Sequence, residues 1–187
     1  MKGIREAVVG ALVLAALSTC GDYLWANVIP HHRPIYGVIH GTLLFLVVGE
    51  YLGALARKTA IGALGGALIG FLAAGSFYVL SPVLGYSAMF LLYVAVWVAL
   101  GLLNGRVLQP ARGAGVSAEP ERMGIVLTRS VLAAIGTGIA FYAISGIWFP
   151  FNPHGWDYAV HFLSWTVAYL PAFAALLIQN NRSSLLR

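Results

Sequence analysis

The sequence predicts an all-α polytopic membrane protein, a compact bundle of six transmembrane helices. Three observations predict it. Of 187 residues, 60% are hydrophobic and only 9% are charged, whereas soluble domains carry roughly 25% charged residues. Six stretches are apolar over a length that approaches or exceeds the ~20 residues needed to cross a bilayer. Basic residues gather on alternate connections between those stretches.

The first span covers 7–23 and follows Lys2 and Arg5. Its end, Leu17-Ser18-Thr19-Cys20, has the outline of a lipoprotein signal. Thr19 is larger than the residue that normally precedes a lipid-modified cysteine, and Glu6 interrupts the basic leader, so a retained helix is the better reading. Cys20 is the one cysteine, which rules out an intramolecular disulfide and leaves it as a small helix-packing residue. The second span, 35–56, carries Gly37, Gly41, Gly49 and Gly53. On the third, 59–80, Gly62, Gly66, Gly70 and Ala74 recur every four residues, and no charge interrupts it. Small residues at that spacing let helix backbones approach closely, so this span is expected to be the most buried. The fourth span is 86–103. After it come Pro110, Gly113, Gly115, Ser117 and Pro120, the composition of a flexible cytoplasmic loop over 104–124. Ser130, Ala134 and Gly138 mark the fifth span, 125–148, and Pro171 lies inside the sixth, 158–178. The whole chain, 1–187, is thus one transmembrane domain with short connectors. There is no room for a soluble catalytic domain, no catalytic residue is assigned, and a non-enzymatic role is favoured.

Charge distribution supplies orientation. Ten of the eleven basic residues fall at the ends of the chain and on even-numbered connections, with Arg33 the exception. This positive-inside pattern predicts both termini in the cytoplasm, most simply in a bacterial inner membrane. The net charge of +5 does not indicate nucleic acid, because it is spread over connectors that lie against lipid headgroups.

A weak internal repeat relates Trp25, Pro30, His31, Tyr36 and His40 to Trp148, Pro153, His154, Tyr158 and His161. Three tandem helical hairpins would produce it. Any positive-inside hairpin also has turn prolines and interfacial aromatics, so only the shared Trp, Pro-His and Tyr-His order is informative.

The candidate ligand-binding residues follow from these positions. His31, His32, His40, His154 and His161 all fall on the outer side. The three beside prolines read as solvated turn residues. His40 and His161 lie about a turn inside their spans, where a polar side chain faces the bundle interior and pairs. An interhelical hydrogen bond is the ordinary use of such a residue, and ligation of a metal or haem by His40 and His161 is the alternative. Asp22 sits at the outer end of the first span, and Asp157 precedes His161 by four residues, on one helix face. Glu50 is the deepest acid. It suits either an interhelical bond, with Asn104 and Arg106 as partners, or a proton relay with His40 in a small proton-coupled transporter. Trp97 on the fourth span and Trp165 and Tyr169 on the sixth could line a cavity opened beside Pro171, suited to a flat or lipid-like ligand. The expected partners are membrane lipids and a lipid-like small molecule. The cofactor is open: a lipid comes first, and haem or metal second.

The Trp-bearing fourth span followed by arginines, the Gly-rich fifth span ending near tyrosine, and Ser164-Trp165 followed by Leu170-Pro171 resemble the Insig sterol-sensor family over the C-terminal half. In that family serine, tryptophan, leucine and proline adjoin, whereas here they are spread out. The resemblance implies a small bundle with a sterol-like or diacyl lipid in a central cavity, touched by Trp97 and the sixth-span aromatics. The last expectation from sequence is that His40 and His161, at matching depths and matching places in the repeat, face one another near the outer surface.

Overall fold

Lipid offers no partner for backbone amides, so a spanning chain of this composition must satisfy them within helices. The structure, a computed structural model, describes residues 2–29, 33–85, 87–108, 122–147 and 153–178. Within them run α1 (Lys2–Asn27), α2 (Arg33–Leu55), α3 (Thr59–Leu84), α4 (Ser87–Leu102), α5 (Met123–Ile147) and α6 (Asp157–Leu177). All six are long and apolar enough to cross a membrane, α4 together with the π-helical turn Leu103–Leu108 that prolongs it. No strand occurs among the described residues.

The helices close into a ring around a central space. The most extensive contact is α2 against α3, then α1 against α6, while α1 and α2 touch sparingly. Packing therefore does not follow the three hairpins of the repeat. Both ends of the ring meet at one end of the bundle, where Gly3 is pressed against Leu177 and Ile178. At that end Arg129 donates from Nη2 to the Ile178 carbonyl (2.8 Å) and Lys58 from Nζ to the Val107 carbonyl (2.6 Å). This is the basic end. The opposite end carries Trp25, Asn27, Pro153 and His154 and is called the histidine end below.

Small residues set the closest approaches. Gly49 and Gly53 of α2 mesh with Gly62 and Gly66 of α3, each so near that an added Cβ would strike backbone of the other helix. Ser130 of α5 sits against Gly101 of α4, and Gly138 against Phe90 and Val94. These contacts stand where sequence spacing placed them.

Burial of α3 does not. Only 6% of its most apolar window is buried, against 33–44% in the other spans, and its buried residues are Gly62, Gly66 and Gly70. An all-round apolar helix is a core helix in water, but in lipid the same surface is at home outside. The glycine stripe marks a seam, not a centre. Helix ends also differ from the expected spans: α1 runs on to Asn27 and α3 passes Pro82 to Leu84. Asn104 and Arg106, assigned to the loop, belong to the π-helical turn, and Pro110, Gly113, Gly115, Ser117 and Pro120 lie outside the described residues. Pro171 does not interrupt α6, which continues to Leu177.

Candidate functional site

The ring encloses a cavity of about 450 Å³, in the volume range of small-molecule sites. Every helix contributes to its wall. Much of it is aromatic, with Tyr93 from α4, Phe141 from α5, and Trp165 and Tyr169 from α6. Those four rings form a closed set of near-parallel contacts. Trp165 stacks on Tyr169 (5.3 Å, 9°) and on Phe141 (5.3 Å, 24°), and Tyr93 stacks on Phe141 (4.9 Å, 26°) and Tyr169 (6.4 Å, 27°). Glycine and alanine make room opposite: Gly37 and Gly41 on α2, Gly70, Ala73 and Ala74 on α3.

One end of the cavity is polar, and α1 organises it through two adjacent residues. The Asp22 carboxylate accepts from His161 Nδ1 and Trp165 Nε1 at a single oxygen, Oδ2, each at 2.8 Å. His161 and Trp165 are four residues apart on α6, which puts both on the face toward α1. Buried imidazole and indole nitrogens need partners, and a carboxylate serves both while receiving two charge-assisted bonds. His161 is only 2% exposed, whereas Asp22 keeps 25%. Gly21 performs the complementary task toward α2. Its carbonyl accepts from the Tyr36 hydroxyl (2.7 Å), and its missing side chain leaves space for the nitrogen-bearing edge of His40. Tyr36 also stacks on His40 (5.6 Å, 14°), one turn along α2.

The Asp22 contacts are the middle rung of a ladder joining α1 to α6. Toward the histidine end, Asn27 donates from Nδ2 to the Tyr158 hydroxyl (2.6 Å). One turn deeper than Asp22, the hydroxyls of Ser18 and Tyr169 bond each other (2.8 Å). Toward the basic end, packing is apolar: Leu14, Val48, Leu52, Leu100 and Phe173 are almost wholly buried. The cavity is thus floored by hydrocarbon.

The sequence-derived candidates divide accordingly. Asp22, His40, His161, Trp165 and Tyr169 line the cavity, so residues up to 147 positions apart in the chain share one wall. Trp97 lies behind it, 0% exposed, with its ring against Tyr169 and Phe173. Asp157 does not serve His161; its Oδ2 accepts from the His154 backbone N–H (2.8 Å) and closes the turn before α6. Glu50 lies on the exposed side of α2, outside the cavity wall. Ten helical residues leave Glu50 about 80° around α2 from His40, and there its side chain is exposed. His31 and His32 lie outside the described residues. No group of three histidine, cysteine, aspartate or glutamate side chains comes together among the described residues.

Gly21, Tyr36 and Ser18 were not singled out as site residues from the sequence. The available signals were Ser18 four residues before Asp22 and Tyr36 four before His40, each one turn from an expected site residue. The buried Tyr93 hydroxyl has no hydrogen-bond partner of good geometry among the described residues. It marks a second polar point on the cavity wall. No family model, no curated protein and no solved structure matches the chain.

Proposed function

We propose that the protein holds a hydrophobic, lipid- or sterol-like molecule within the membrane, its polar group at the Asp22, His40 and His161 end. The observation that carries this reading is the cavity: about 450 Å³, largely aromatic and small-residue walls, and polar groups convergent at one end. With the basic end in the cytoplasm, as the positive-inside rule favours, the polar end opens outward. Below the Ser18 and Tyr169 hydroxyls the floor is packed with Leu14, Val48, Leu52, Leu100 and Phe173, which favours retention over passage. The sixth-span aromatics that suggested an Insig-like lipid site belong to the same wall, which agrees with this reading.

The test uses a photoreactive cholesterol and a photoreactive diacyl lipid with the protein in nanodiscs. Labelling of cavity-wall peptides by either probe is expected, and Ala73→Phe, which puts a ring into the cavity, should suppress it. Ala60→Phe, on the exposed side of α3, should leave labelling unchanged. Equal labelling of wild type and Ala73→Phe would overturn the proposal.

A further inference from the structure

Among the described residues, Asp22 is the one carboxylate of the cavity wall, and no lysine or arginine lines it. Nine aromatic side chains do. The two N–H donors that hold Asp22, from His161 and Trp165, both reach the same oxygen, Oδ2, and the residue lines the cavity. In a space of low dielectric, a single negative charge selects strongly for the sign of whatever enters. Aromatic faces select the same sign, because their quadrupoles attract cations, and aromatic cages are a known means of holding quaternary ammonium groups.

We propose that the molecule held in this cavity is a lipophilic cation, with its positive centre beside Asp22 and its hydrocarbon among the Tyr93, Phe141, Trp165 and Tyr169 rings. This deepens the binding reading above and rests on it. An anionic head, such as a phosphate or fatty-acid carboxylate, would meet a like charge at Asp22 and no basic side chain among the described residues of the wall.

Tetraphenylphosphonium and tetraphenylborate, nearly equal in shape and opposite in charge, test this on the full chain in nanodiscs. Saturable binding of the cation and none of the anion is expected. Asp22→Asn keeps an oxygen for His161 and Trp165 but removes the charge, and should weaken cation binding about tenfold or more. If that variant fails to fold, the comparison of the two ions in the unaltered chain still decides. Anion binding as tight as cation binding, or an unchanged affinity in Asp22→Asn, would overturn the proposal. Labelling by photoreactive cholesterol without binding of either ion would overturn it while leaving the binding function intact. Absence of both ion binding and lipid labelling would remove the two together.

Discussion

Gly21 and Asp22 do different work from adjacent positions, and substitutions separate them. Gly21→Ala places a methyl where the His40 edge lies, so the imidazole must swing out of its stack on Tyr36. The expected outcome is a folded protein whose cavity labelling by a photoreactive lipid falls severalfold, read by mass spectrometry of cross-linked peptides. Ser18→Ala instead removes a rung of the α1–α6 ladder. Interhelical hydrogen bonds in membranes contribute about 0.6 to 2 kcal/mol, and a loss of that size in reversible unfolding is expected. No measurable loss would mean that the Tyr169 hydroxyl finds another partner once Ser18 is gone.

At the scale of elements, α3 contains its own control. Gly62 meets the Gly49 carbonyl and the Gly53 Cα, whereas a side chain added at Gly75 would meet nothing within 4 Å. Gly62→Leu should therefore force α2 and α3 apart and abolish the folded, monodisperse protein on size exclusion. Gly75→Leu should fold like the parent, with stability within about 0.5 kcal/mol. Equal damage from both would refute the seam as the basis of the α2–α3 contact. The glycine spacing was legible because close approach demands small residues at fixed helical intervals. Which side of that seam faced lipid was not legible, since leucine and phenylalanine suit a lipid surface as well as a core.

For the whole molecule, the meeting of Gly3 with Leu177 and Ile178 puts the two ends of the ring on one side. Cysteine-accessibility labelling, with Cys20 replaced by serine, gives the check. Cysteines at Asn27 and His154 should react from the outer side, and one at Arg57, in the turn between α2 and α3, from the cytoplasmic side. Labelling of both sets from the same side would contradict the arrangement. Arg57 is informative for another reason: its φ of 58° is left-handed, a conformation that glycine normally supplies after a helix.

Hydropathy, span length and charge asymmetry determined by themselves that this chain is a six-helix membrane protein, because the bilayer imposes those limits on any sequence that crosses it. They also placed Asp22, His40 and His161 near one end, since depth along a helix follows from counting residues. Rotation about each helix was decided only by packing. The turn of α6 gave His161 to Asp22 and left Asp157 to His154, and the turn of α2 put His40 inside and Glu50 outside. Periodicity states which residues share a face, but in lipid either face can be the inner one, and only the meshing of six surfaces selects it.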